Sequence, residues 1–246
     1  GPSWQKEPAP FGEDRSALFV VTKVTPTMLA RDVQPSRLER SVQKIGDLLE
    51  RRAGTSTGLV AYAGTPHLVM PLTSDSDVIR YFAAALAPEI MPNAGDDPAA
   101  ALELAARRMS RSGLPGSNLL VADRVDAVAL RGIEAVHAEY GFSIHVYALA
   151  AGPDVIPAPG GPPAPFLDED AMKAAAKAGG GALVTVTPDD RDLDQLDGRV
   201  SRSIANSPAG TDERWKDGGY LLLWPLALVL LLFVRRGGAV PMGSGT

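Results

Sequence analysis

The stretch Ala17-Leu-Phe-Val-Val-Thr-Lys-Val-Thr-Pro-Thr-Met28 decides the fold. Its Leu18–Val24 part is the near-continuous apolar run expected of a central parallel strand. The strand ends in a hydroxyl-bearing loop with Thr25 and Thr27, and Asp32-Val-Gln-Pro-Ser-Arg-Leu-Glu-Arg40 then opens a helix. From Pro35 to Arg52 the apolar residues Leu38, Val42, Ile45 and Leu49 recur at three- and four-residue spacing, with charge on the other face.

Outward from that unit, strand-like and helix-like segments alternate. Thr57–Tyr62 and His67–Leu72 form a hairpin around Ala63-Gly64-Thr65-Pro66, and Ser76–Leu86 is helical. Asp97 caps a helix that begins at Pro98 and whose apolar face runs from Leu102 to Met109. Asn118–Ala122 is a strand, Val125–Tyr140 a helix, Ser143–Leu149 a strand and Gly152–Pro165 a proline- and glycine-rich loop. Glu169–Ala178 is a helix closed by Gly179-Gly180-Gly181, Ala182–Val186 the last strand, and Asp189 to about Asn206 a final helix. The pattern predicts an α/β domain over 17–206: a doubly wound, mostly parallel, Rossmann-like sheet with helices on both faces.

Composition narrows the function. Across 246 residues the apolar share is 45%, ample for one sizeable core, and the net charge is −5. No basic patch of the kind that tracks nucleic acid is present in the sequence. Zero cysteines exclude disulfides, thiolate metal sites and cysteine nucleophiles. The opening Gly1-Pro2-Ser3-Trp4 of the extension 1–16 is what a processed form or fragment would show, with a signal peptide or anchor removed upstream.

Tyr220–Val234, YLLLWPLALVLLLFV, carries no charge and runs into Arg235-Arg236. Fifteen helical residues rise only ~22 Å against a hydrocarbon core of ~30 Å, so a membrane span must recruit neighbours and is expected over 219–236, after a linker 207–218. Tyr220 and Trp224 suit one membrane interface. The arginine pair places the flexible tail 237–246 in the cytoplasm and the large domain in the periplasm of a bacterial inner membrane.

In doubly wound sheets ligands bind beyond the carboxyl ends of the strands, where the strand order reverses. Lys23–Thr27 follows the first strand and Asp123 follows Asn118–Ala122, so both loops are expected above one crevice.

Several stretches in order resemble one family. They are MLARDVQPSRLER at Met28–Arg40, GLVAYAG at Gly58–Gly64, PLTSD at Pro71–Asp75, PNAGDDPAAAL at Pro92–Leu102 and YLLLWPLAL at Tyr220–Leu228. They resemble the von Willebrand factor type A domain proteins of the bacterial Bat (aerotolerance) type. That resemblance implies a metal-ion-dependent adhesion site whose ligands are the Asp and both Ser of DxSxS, a Thr, and the Asp of a TDG turn. Carried onto this chain, the first Asp becomes Lys23, the Ser pair Thr25 and Thr27, the Thr Asp96, and the last Asp Asp123 within Ala122-Asp123-Arg124.

A protonated lysine has no lone pair for a magnesium-type ion and repels it, at roughly 4 kcal/mol for each pair of unit charges 4 Å apart in an effective dielectric near 20. The expectation is therefore a degenerate site in which the Lys23 ammonium takes the metal's place, paired with Asp96 and Asp123 and hydrogen-bonded by Thr25 and Thr27. The alternative is a lysine swung outward, with Thr25, Thr27, Asp96 and Asp123 holding Mg2+ weakly.

Elsewhere bland roles are expected: a cap at Asp97, helix-start chemistry at Asp32 and Ser36, a helix N-terminus at Asp189-Asp190-Arg191-Asp192, and structural or solvated roles for His67, His137 and His145. No nucleophile–base set and no phosphate-loop fingerprint can be assembled, so an enzyme is not expected. The resemblance implies a membrane-anchored protein-interaction module of the cell envelope acting in complex assembly, with a MoxR-type ATPase or a tetratricopeptide protein as partner. An accessory subunit fixed in a larger membrane complex is a second reading, and a metal-dependent adhesion domain with a working site a third. The expected partner-binding face is Lys23, Thr25, Thr27, Asp96 and Asp123, with the ammonium recognising an acidic partner residue; the alternative is that this face is retired.

Overall fold

The computed structural model describes residues 16–207. The expected span 219–236 and both terminal segments lie outside the described residues. Six strands, β1 (Ala17–Lys23), β2 (Ser56–Tyr62), β3 (Pro66–Thr73), β4 (Gly116–Ala122), β5 (Ile144–Ala148) and β6 (Gly180–Thr185), form one sheet in the order β3-β2-β1-β4-β5-β6. All pairings are parallel except the β2–β3 hairpin. The helices are α1 (Arg37–Arg51), α2 (Ser76–Ala84), α3 (Pro98–Ser112), α4 (Ala127–Tyr140), α5 (Glu169–Ala178) and α6 (Arg191–Ala205).

The side-chain alternation of a strand sorts β1 between two cores. Ala17, Phe19 and Val21 pack with α3, α4 and α5, while Leu18 and Val20 pack with α1, α2 and α6. Burial on both faces explains why this strand is apolar throughout, and Lys23 inherits the odd-numbered direction toward the α3 side. The sheet winds outward both ways from β1 and β4, which leaves the crevice between their carboxyl ends. Both ends of the described chain lie at the opposite end of the sheet, beside the amino ends of β2 and β4. The Ser16 carbonyl accepts the Ser56 N–H at 3.1 Å, and Ser207 Oγ accepts the Gly116 N–H at 3.3 Å.

Helix starts follow local chemistry. Ser36, Asp75, Asp97, Asp126 and Asp168 each accept first-turn N–H groups, worth ~1 kcal/mol apiece. Asp126 therefore starts α4 at Ala127, two residues later than apolar pattern alone suggests. The glycine run Gly179–Gly181 does more than close α5. It begins β6, because a Cβ on Gly181 would lie 2.1 Å from the Ile144 carbonyl oxygen and one on Gly179 would lie 2.7 Å from Ile144 Cβ. Small residues there let β6 approach β5.

The acidic run before α6 also departs from expectation. Asp190 makes no side-chain cap. Asp192 is fully buried, accepts from Lys44 at 2.8 Å and from the Tyr147 hydroxyl at 2.5 Å, and so ties α6 to α1 and β5. Periodicity does not distinguish such a buried carboxylate from a solvated first-turn acid.

Candidate functional site at the carboxyl end of the sheet

Lys23 ends β1 and is 1% exposed. Its ammonium lies 2.5 Å from Asp96 Oδ2 and 2.7 Å from Asp123 Oδ1. Asp123 follows β4 and is fully buried. Asp96 comes from the loop before α3, which is clasped to the β2–β3 turn. The Gly64 N–H bonds the Asn93 carbonyl at 3.0 Å, and the Asp97 N–H bonds Ala63 at 2.9 Å. A Cβ on Gly64 would lie 2.3 Å from the Ala94 carbonyl oxygen, and Gly95 takes φ +146°, so glycines make this approach possible.

The two threonines do not bond the lysine as expected. Thr25 Oγ1 and Thr27 Oγ1 lie 2.9 Å apart and bond each other, and the Thr27 hydroxyl also stabilises the Asp123 carboxylate. Thr25 precedes the turn Pro26–Leu29 and Thr27 lies within it. Sequence reasoning also missed Arg37, a buried residue in the first turn of α1. Its guanidinium donates to Asp123 Oδ2 at 3.0 Å, to both oxygens of Asp32 at 2.7 and 2.6 Å, and to the Pro165 carbonyl at 2.8 Å. Asp32 is thus a partner of Arg37, not a helix-start group, and it accepts the Ala151 N–H at 2.8 Å as well. The available signal was the pair of opposite charges flanking the helix start at Asp32 and Arg37. Arg124, 51% exposed, closes the rim at 3.4 Å from Asp96.

Three carboxylates, Asp32, Asp96 and Asp123, thus face three cations, Lys23, Arg37 and Arg124. Burial pushes the Asp123 carboxyl up, but Lys23, the Thr27 hydroxyl and Arg37 outweigh it and hold the group below the ordinary carboxylate range. Burial likewise acts on Asp32, where Arg37 and the Ala151 N–H win. Both acids are held ionised. The donor set does not fit a divalent ion: a lysine nitrogen without a lone pair occupies the space between the two acids, and an added double charge would upset a balanced set. Two buried acceptors remain at the site, Asp96 Oδ1 and the Tyr62 hydroxyl, with no hydrogen-bond partner among the described residues.

The histidines stay apart from this site. His67 bonds Thr65 at 2.9 Å, His137 bonds the Phe142 carbonyl at 2.9 Å, and His145 bonds Ser203 Oγ at 2.8 Å. His145 Nδ1 accepts the Ala182 N–H at 3.2 Å. Burial, with the nearby Arg199 charge, lowers its pKa to about 4.

The von Willebrand factor type A domain family matches residues 18–123, the segment from β1 through Asp123. The fold is similar to that of an aerotolerance-related membrane protein from Bacteroides fragilis carrying multiple mutations to serine. The TM-score is 0.65 at 22% identity, over 77% of this chain and 98% of that one. It is equally similar to BatB from Bacteroides thetaiotaomicron, with TM-score 0.65 and 23% identity over 78% and 99% of the two chains. The von Willebrand factor domain of the type V pili tip protein Mfa5 from Porphyromonas gingivalis aligns with TM-score 0.54 and 12% identity, over 77% and 96%. No curated protein matches the chain. The family match thus assigns the segment 18–123, with its central strands β1 and β4, to the von Willebrand factor type A domain.

Proposed function

We propose that this chain is a protein-interaction module of the Bat type, anchored in a bacterial inner membrane through 219–236 with its domain in the periplasm. It binds a protein partner at the carboxyl end of the sheet without a divalent ion. The carrying observation is the balanced set of three acids and three cations around Lys23. With the ammonium buried, the partner meets the rim: the Arg124 guanidinium, the partly exposed Asp96 side chain and Thr27.

Binding rather than catalysis suits these groups. Acid–base work needs a group that titrates near the operating pH, whereas Asp123 is held well ionised by its cations. Partners of this class are envelope or membrane proteins, with a MoxR-type ATPase or a tetratricopeptide protein as the specific candidates.

The test is purification of the full chain with its partners from native membranes in mild detergent. One arm adds a chelator, one a high-salt wash, and one carries Asp96→Ala with Arg124→Glu. Partners are expected to survive chelation and to be lost in the rim variant. Partners stripped by the chelator, or undiminished in the rim variant, would overturn the proposal. Salt-resistant, stoichiometric partners identify a fixed accessory subunit, and salt-labile ones a transient assembly factor.

A further inference from the structure

The sheet has two edges, and they are guarded differently. β3 carries Pro66 and Pro71, and its pairing with β2 is irregular between Thr57 and Val60, both devices that blunt an edge. β6 has no proline and no charged residue among Gly180–Thr185.

The peptide groups of β6 can be assigned directions. The Val186 N–H donates to the Ala148 carbonyl of β5 at 3.0 Å, and the ladder pairs Val146 with Leu183 and Ala148 with Thr185. Backbone direction alternates along a parallel ladder. The N–H and C=O groups of Leu183 and Thr185 therefore point away from β5, out of the sheet.

They face a cleft of about 660 Å³ between α5 and α6, with Lys173 and Lys177 on one bank and Arg199 on the other. Glu169 is the one acid in its lining, so the cleft holds a local excess of positive charge on a chain whose net charge is −5. None of these three cations forms an ion pair with a described residue.

We propose that β6 accepts an extended acidic segment of a partner protein as a seventh strand. Main-chain hydrogen bonds to Leu183 and Thr185 would align it, as in other strand-addition complexes. Its side chains would alternate between the α5 bank and the α6 bank, so glutamates or aspartates at neighbouring positions reach Lys173 and Lys177 on one side and Arg199 on the other. A second copy of this chain suits the cleft poorly, because a twofold pairing of β6 with β6 would bring the same three cations face to face. This site is separate from the Lys23 rim, and either can fail without the other.

The test uses the full chain and a fluorescein-labelled, end-blocked octapeptide of alternating valine and glutamate pairs, with a lysine-for-glutamate peptide as control. The glutamate peptide is expected to raise anisotropy saturably, to weaken with added salt, and to slow amide exchange at Leu183 and Thr185. Lys173→Glu with Lys177→Glu and Arg199→Glu is expected to weaken it at least about tenfold. Thr185→Pro, which deletes one outward N–H and touches no cation, is expected to weaken it comparably, with unchanged thermal unfolding checking the fold. The proposal fails if binding is not saturable, or if the peptide binds without protecting those amides. It also fails if the chain dimerises and protects them unaided, which would assign the edge to a second copy.

Discussion

Charge is handled in opposite ways at two places on this domain. Around Lys23 every cation has a carboxylate within 3.4 Å, and most of the charged groups are buried. Beside β6, Lys173, Lys177 and Arg199 line a cleft with one acid among them and leave outward-facing peptide groups uncovered. Satisfied buried charge holds loops in place, and unsatisfied charge at an open edge selects what can come near. The first arrangement should therefore be read out in stability and the second in binding.

The largest effect is expected at Arg37. Arg37→Met keeps a side chain of similar length but leaves Asp32 and Asp123 buried with one cation fewer. Removing one member of a buried ionic set costs ~3–5 kcal/mol. Denaturant unfolding of the variant measures this, and a loss under 1 kcal/mol would mean the guanidinium contributes little to holding the loops.

Acid should affect the β6 side first. His145 titrates at about 4 when folded, against 6.5 when exposed, so the unfolded chain binds the extra proton more readily. The corresponding stability is fully present above pH 6.5 and is lost as pH falls toward 4, on the order of 3 kcal/mol in total. The cause is geometric as well as desolvation. Nδ1 accepts the Ala182 N–H, so a proton there would break the contact at the start of β6. His145→Asn keeps an acceptor and should flatten the slope between pH 6.5 and 4. Asp32 and Asp123, held below the ordinary carboxylate range, lose their contribution only at lower pH.

A third effect concerns the metal. Lys23→Asp restores a carboxylate beside Asp96 and Asp123 and removes the ammonium. The variant should be less stable than the parent without magnesium and should regain stability with it, by ~2.7 kcal/mol when the ion is a hundredfold above its Kd. The parent should show no magnesium-dependent shift in Tm. A variant blind to magnesium would count against these residues as the family's ligand positions.

The fold was largely legible in sequence because burial on both faces makes β1 apolar throughout, and because the caps at Ser36 and Asp97 mark their helices. Lys23 and Asp123 could be brought together because strand ends define the crevice, whereas Asp96, in the loop before α3, was reached only through the family resemblance. What could not be read depends on side-chain direction. Arg37 looks like any first-turn arginine until the fold turns it inward onto Asp123, and Asp192 looks like a dipole-stabilising acid until α6 docks on Lys44. The threonine pair bonds across the turn that begins at Pro26, a pairing no spacing rule records. At the glycine run, one signal serves both a helix end and a strand start.

The smallest stability effect separates the two regions most cleanly. Reversing Lys173, Lys177 and Arg199 to glutamate removes no ion pair with a described residue. Each change should therefore alter unfolding by no more than ~0.5 kcal/mol, the range usual for surface positions. Neighbouring acids repel one another and break additivity, so singles are measured beside the triple. If the triple unfolds several kcal/mol more easily, these cations hold α5 and α6 together and the cleft is a structural seam. If stability holds while an acidic strand loses its grip, the charge beside β6 serves recognition, as the charge around Lys23 serves the fold.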